Sequence, residues 1–173
     1  LRAMKESGNP FTGFLYAGLM IKNNEPFLIE YNIRMGDPEC QVLMMRLDSD
    51  FVEIVDLVTK NRLKDCNINW KSNSCMTVVL CAKGYPGKYV KNSEIKNLSL
   101  AVIDKNNQIF HAGTYEKKNR IFSIGGRVLN ITSCGSNLVS ARDNSYSNLK
   151  KINWADGFFR KDIGWRAINN ENN

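Results

Sequence analysis

Three polar residues at every second position, Glu30, Asn32 and Arg34, interrupt the apolar run that begins at Phe27. Side chains of an extended strand alternate between its faces, so Phe27, Ile29, Tyr31 and Ile33 take one face and Glu30, Asn32 and Arg34 the other. Same-face neighbours lie about 7 Å apart along a strand, which lets a carboxylate and an amide oxygen converge on one hard cation. That pair suits Mg²⁺ held between protein oxygens and phosphate oxygens. Glu30 and Asn32 are therefore the candidate metal ligands. Arg34, one step further along, offers planar donors to an anion on the same face.

The residues that follow predict the element that completes this edge. Gly36 permits a sharp bend, Asp37 is a good N-cap, and Pro38 suits the first helical position. A helix N-terminus opening here would turn its free amides and positive dipole end toward an anion. Taken alone, Glu-x-Asn-x-Arg also describes a half-exposed edge strand with a salt-bridged surface. The attached Gly36-Asp37-Pro38-Glu39-Cys40-Gln41 favours the site.

These groups need a sheet behind them. Phe14 to Ile21 reads as a strand, Lys22-Asn-Asn-Glu-Pro26 as a turn, and Phe27 to Ile33 as its antiparallel partner. Leu15 to Met20 is apolar or small on both faces, which predicts a central strand with close approach at Gly18 and Glu30 presented from inside a sheet. Helical spacing follows over Glu39 to Leu47 and Phe51 to Thr59, with an N-cap for the second within Asp48-Ser49-Asp50. Met44 and Met45 read as core filling.

The polar stretch Lys64 to Asn73, carrying Trp70, predicts a boundary between residues 1–72 and 73–168. Beyond it the pattern changes to strands over Met76 to Ala82, Leu100 to Asp104, Ile109 to Ala112, Arg120 to Ile124 and Arg127 to Thr132. Turns fall at Asp104-Lys-Asn-Asn107 and Lys117-Lys-Asn119. A helix is expected from Ser136, its cap, to about Ile152. Asp162 to Ile168 closes the ordered part, and an Asn-rich tail over 169–173 is expected to be unstructured.

The run Glu30 to Gln41 resembles the ATP-grasp core of the phosphoribosylamine-glycine ligase, or glycinamide ribonucleotide synthetase, family. The resemblance continues in order through Leu15-Tyr-Ala-Gly-Leu-Met20, Lys83-Gly-Tyr-Pro-Gly87, His111-Ala-Gly-Thr114, Gly125-Gly-Arg-Val-Leu129 and Asp162-Ile-Gly164. It implies an α+β chain: the C-terminal part of an ATP-grasp domain, antiparallel strands plus helices, then a small β-rich C-terminal domain with one long helix that helps wall the active site. It also implies an ADP-forming C–N ligase of purine synthesis joining glycine to 5-phosphoribosylamine, with ATP as co-substrate and Mg²⁺ or Mn²⁺ at Glu30 and Asn32. Arg34 would be catalytic, stabilising the transferring phosphoryl group, and Asp37 and Glu39 would border the amine-bearing substrates. Relatives in the ATP-grasp superfamily hold a ribose phosphate with basic residues of the second domain, which points to Arg127. The family's N-terminal portion is missing. Leu1 to Glu6 reads as the end of a helix begun upstream, so a truncated chain, inactive alone, is expected. Glu-x-Asn-x-Arg recurs across the superfamily, which keeps another carboxylate-amine ligase or a carboxylase open, as well as a non-catalytic binding module.

Composition narrows the classes further. The 173 residues are 43% hydrophobic and 24% charged, as in a soluble globular chain. No apolar run approaches the roughly 18 residues that span a bilayer, and the N-terminus has no signal-peptide core. A cytoplasmic protein is expected. Five cysteines without a Cys-x-x-Cys pair indicate reduced thiols rather than a disulfide framework or zinc site. The net charge of +7 comes from scattered lysines, not a stripe, and argues against a nucleic-acid partner.

Three glycine or histidine features carry weaker signals. Gly84-Tyr-Pro-Gly87 reads first as a structural turn. Gly125-Gly126 would let backbone amides approach an anion beside Arg127. His111, the only histidine, has no nucleophile elbow or metal-ligand spacing around it and reads as a hydrogen-bonded residue at a strand end.

Overall fold

The computed structural model describes residues 1–102 and 104–171. In chain order the elements are α1 (Arg2–Glu6), β1 (Tyr16–Lys22), β2 (Glu25–Asn32), α2 (Glu39–Arg46), α3 (Phe51–Thr59), β3 (Ser74–Ala82), β4 (Glu94–Ile95), α4 (Leu98–Ala101), β5 (Asn107–His111), β6 (Thr114–Lys117), β7 (Arg120–Ser123), β8 (Arg127–Gly135), α5 (Leu138–Leu149), β9 (Gly157–Phe158) and α6 (Trp165–Glu171). The chain forms two compact units, one of Leu1–Cys40 with Leu47–Lys71, the other of Gln41–Arg46 with the residues from Ser72 onward.

In the first unit β1 and β2 pair as an antiparallel hairpin. Asn23 and Asn24 form its turn with φ of 53° and 61°, the left-handed pair that matches strand twist and that Asn tolerates. The expected central strand is not what forms. Among the described residues this sheet has two strands, order β1-β2, and its large apolar side chains are exposed: Leu19 49% and Met20 53% on β1, Phe27 50%, Ile29 64% and Tyr31 63% on β2. A two-stranded ribbon has no third layer against which either face can be buried.

Helix α3 forms where predicted because Asp50 caps it, its Oδ1 accepting from Val52 N at 2.7 Å and Glu53 N at 3.2 Å. Ile54 is its buried residue, and the Phe51 ring stacks on Phe14 with centroids 5.8 Å apart. The polar stretch after α3 is tied back to residues 47–49: Asp48 N donates to Asn69 O at 3.0 Å, and Leu47 bridges Trp70. No residue of α2 is fully buried, so its apolar positions do not make the core its spacing predicts.

The second unit is built on a four-stranded antiparallel sheet, order β5-β8-β3-β9, with a three-stranded sheet, β4-β7-β6, beside it. Val78 and Leu80 of β3 face the same way as Ile131 and Leu129 of β8, to which they are register partners. All four are at most 4% exposed and belong to one apolar cluster with Ile109, Leu149 and Trp154. Fully burying each such aliphatic side chain is worth about 1.5–3 kcal/mol. Polar pegs fix α5 to the sheet: Ser145 Oγ donates to Met76 O at 3.0 Å, and Asn148 Nδ2 to Asn107 Oδ1 at 2.6 Å. Each of these buried polar groups thus keeps a partner.

Local chemistry moved three predicted boundaries. The strand expected over Leu100 to Asp104 does not start there: Leu98–Ala101 is a helical turn started by left-handed Asn97 (φ 65°), with Ala101 buried in the cluster. Residue 103 lies outside the described residues. Helix α5 starts one residue late, because Asn137 rather than Ser136 caps it in a reciprocal box with Ser140; an Asn or Ser cap is about equally good, and the capping box decides. At the C-terminus α6 runs through Glu171, so residues 169–171 are helical rather than unstructured; residues 172 and 173 lie outside the described residues.

Candidate active site

The hairpin register assembles the polar edge. Tyr16 pairs with Asn32 and Gly18 with Glu30, after a register shift between Gly18 and Leu19. Directly opposed residues share a face of the sheet, so β1 contributes a phenol and a gap to the face that carries Glu30 and Asn32. The gap is needed: a Cβ on Gly18 would stand 3.1 Å from Glu30 Cγ. Asn32 Nδ2 donates to Glu30 Oε1 at 2.9 Å. The two candidate metal ligands are therefore brought together as the period of two required.

This pair is an open donor set. Glu30 is exposed and Asn32 half-buried, and no group of three or more His, Cys, Asp or Glu placed to hold a metal is found among the described residues. One carboxylate and one amide oxygen are what a Mg²⁺ ion uses when phosphate and water supply its remaining ligands. The residues present fit that ion.

Past the end of β2 the chain bends. Arg34 is exposed, and its Nη1 donates to Met35 O at 2.8 Å. Gly36 is buried because the Glu39 side chain folds over it: a Cβ there would collide with Glu39 Oε2 and come within 3.0 Å of Glu39 Cβ. The other carboxylate oxygen, Glu39 Oε1, accepts from the Tyr16 hydroxyl at 3.2 Å. Partial burial, then the Glu39 carboxylate and its hydrogen bond, then Glu30 raise the Tyr16 phenol above its ordinary pKa, while Arg34 acts in the opposite sense. Tyr16, Glu30, Arg34 and Glu39 therefore lie within one electrostatic neighbourhood.

The predicted helix start is corrected. Helix α2 begins at Glu39, not Pro38; Asp37 and Pro38 lie in the preceding turn, joined by a cis peptide bond. Cys40 N donates to Gly36 O at 2.9 Å, which closes the turn around them. Asp37 is exposed and lies beside Cys40, whose thiol is pushed up first by burial and then by the Asp37 carboxylate.

In the second unit the glycines serve packing. A Cβ on Gly113 would lie 2.5 Å from Gly125 Cα and 2.7 Å from Arg127 O. Gly125 N donates to Gly113 O at 3.2 Å, and a Cβ on Gly126 would enter the Tyr85 ring. The expectation that Gly125-Gly126 presents its amides to an anion fails for Gly125, whose N–H is already used. Arg127 itself is exposed at the start of β8, opposite Cys81, and its charge favours the Cys81 thiolate against burial. Gly84, at φ 95°, is a structural turn residue where a Cβ would strike Lys88 O. His111 Nδ1 lies 2.9 Å from Thr114 Oγ1 at the end of β5, the hydrogen-bonded position expected of it.

Sequence reasoning missed Tyr16. Its signal was present in the spacing Tyr16-Ala-Gly18, a phenol and a side-chain gap on one strand face, but which face depends on the bulge.

Comparison with known proteins defines the class first. Residues 1–40 match the phosphoribosylglycinamide synthetase ATP-grasp (A) domain and residues 75–166 the phosphoribosylglycinamide synthetase C domain: an α+β chain in which the end of an ATP-grasp fold precedes a β-rich unit. The chain belongs to the phosphoribosylglycinamide synthetase family. It is 47% identical over 171 residues to a phosphoribosylamine–glycine ligase of Brucella melitensis, covering 99% of this chain and 40% of that one. It is also 47% identical over 172 residues to the chloroplastic phosphoribosylamine–glycine ligase of Arabidopsis thaliana, 97% of this chain and 32% of the relative. The crystal structure of phosphoribosylamine–glycine ligase from Thermotoga maritima superposes with a TM-score of 0.78 at 31% identity, over 93% of this chain and 39% of that one. The chain thus spans about two fifths of the length of most of these relatives. No helix among the described residues is long and apolar enough to cross a membrane.

Proposed function

We propose that residues 1–173 supply the metal-holding strand and the C domain of a phosphoribosylamine–glycine ligase, which joins glycine to 5-phosphoribosylamine with cleavage of ATP to ADP and phosphate, a step of purine synthesis. The observation that carries this is the Glu30–Asn32 pair, 2.9 Å apart on one strand face, within the residues that match the ATP-grasp domain. Relatives named for this activity match along nearly the whole chain.

Glu30 and Asn32 would hold Mg²⁺, or Mn²⁺, which when bound neutralises ATP phosphate charge and orients the transferring phosphoryl group. Arg34 lies two residues beyond the end of that strand and stabilises negative charge as the glycine carboxylate takes up the γ-phosphoryl group. The amine of phosphoribosylamine then attacks the acyl carbon, phosphate leaves, and the amide bond forms. Asp37 and Glu39 border the amine-bearing substrates. Arg127, a planar bidentate donor, grips the ribose 5-phosphate. A cytoplasmic setting is part of the same proposal; the name of the Arabidopsis relative places that protein in the chloroplast.

The test is ADP formation by the intact protein with Mg²⁺ and ATP. ADP should appear only when glycine and phosphoribosylamine are both present, at a rate of order 1 s⁻¹ or more. Turnover independent of either substrate contradicts the proposal.

A further inference from the structure

Glycine is a zwitterion at neutral pH, so a site that activates its carboxylate must also receive its ammonium group. The first unit offers opposite charges for both ends. Arg34, two residues past the end of the strand that carries Glu30 and Asn32, bears the positive one, and Glu39, hydrogen-bonded to Tyr16 of the pairing strand, the negative one. Glu39 is an exposed side chain on the first residue of α2. A free glutamate there would sample several rotamers, and ordering such a side chain on binding costs conformational entropy.

The structure removes much of that freedom from two sides. The Tyr16 hydroxyl donates to Glu39 Oε1 at 3.2 Å, and Gly36, lacking a Cβ, lets the rest of the carboxylate fold over the backbone. The donor is itself placed by register, since Tyr16 is the partner of Asn32. One rigid strand therefore fixes the candidate metal ligand on β2 and the carboxylate on α2 with respect to each other. A phenol is well suited to holding a carboxylate in this way, because it supplies one donor, adds no charge, and loses little conformational entropy when held.

We propose that Tyr16 is a positioning residue for glycine: its hydroxyl holds Glu39 as the acceptor for the glycine ammonium group while Arg34 takes the carboxylate. This rests on the ligase function proposed above and assigns a role within it to a residue on β1.

Tyr16→Phe removes the hydroxyl and keeps the ring. In the intact protein it should raise the KM for glycine about tenfold, the effect of losing one charge-assisted hydrogen bond's worth of orientation, and change the KM for ATP less than twofold. Glu39→Gln should raise the glycine KM as well, and the double variant should cost no more than the larger single effect, because the phenol acts only through the carboxylate. Equal rises for glycine and ATP, unchanged constants with a lowered melting temperature, or additive effects of the two substitutions would each overturn the proposal. Equilibrium dialysis of glycine in the presence of Mg²⁺ and ATP separates this from failure of the ligase function. Protein that forms no ADP yet binds glycine more weakly as Tyr16→Phe keeps the positioning role and sinks the reaction, whereas unchanged glycine binding sinks the positioning role.

Discussion

Arg120 on β7 clamps Glu94 on β4 at two points: its Nε donates to Glu94 Oε1 at 2.6 Å, and its Nη2 to the other carboxylate oxygen. The neighbouring Lys96 ammonium lies 3.6 Å from that second oxygen. Bidentate geometry and a second cation make this the best-organised ion pair on the three-stranded sheet.

Its pH dependence has a definite sign. The Arg120 hydrogen bond, with its charge and that of Lys96, holds the Glu94 carboxyl below the ordinary glutamate pKa of about 4.3. A depressed folded-state pKa contributes stability that is fully present above the unfolded value and is lost as pH falls through the folded one. Wild type should therefore melt above Glu94→Gln by a constant margin between about pH 5 and 8, and the margin should shrink below about pH 4. Added salt should reduce it as well. Thermal melts of both proteins across that range check this; a margin that persists unchanged to about pH 3 contradicts it.

Arg127 makes a prediction about substrate rather than stability. Lysine at this position keeps the charge and removes the planar fork. Arg127→Lys should raise the KM for phosphoribosylamine roughly tenfold, a loss of about 1.4 kcal/mol, and leave those for ATP and glycine within twofold. Steady-state titration of each substrate beside a thermal melt decides it. A lower melting temperature with all three constants unchanged would mean that Arg127 only braces the start of β8.

The sequence made the secondary structure of residues 39–59 legible because its signals are local. Asp50 sits one residue before an apolar helical stripe, and the helix starts where that cap places it. The placement of Glu30 beside Asn32 was legible for the same reason, since a period of two puts both on one face whatever the rest of the chain does. What opposes that face was not. A two-residue turn at Asn23-Asn24 without irregularity sets Gly18 against Ile29 and Tyr16 against Tyr31; the shift between Gly18 and Leu19 moves both by one, onto Glu30 and Asn32. A single bulge exchanges the faces of everything beyond it, and a glycine such as Gly18 inside a strand signals a bulge and a close backbone approach alike, so its type does not say which. The glycines near Arg127 show the complementary limit: Gly113 and Gly125 are twelve residues apart, and only the folded backbone reveals that each exists to admit the other.

The proposed ligase role rests on Glu30 and Asn32 holding the metal for ATP. Glu30→Gln replaces an anionic oxygen with a neutral one at an exposed position, so it should weaken affinity for a hard cation and barely affect folding. The most direct measurement is the Mg²⁺ dependence of ADP formation by the intact protein and its Glu30→Gln variant, each with a thermal melt. The half-saturating Mg²⁺ concentration should rise about tenfold or more, for a loss of at least about 1.4 kcal/mol, with the melting temperature essentially unchanged. A variant with the wild-type Mg²⁺ dependence would contradict the claim.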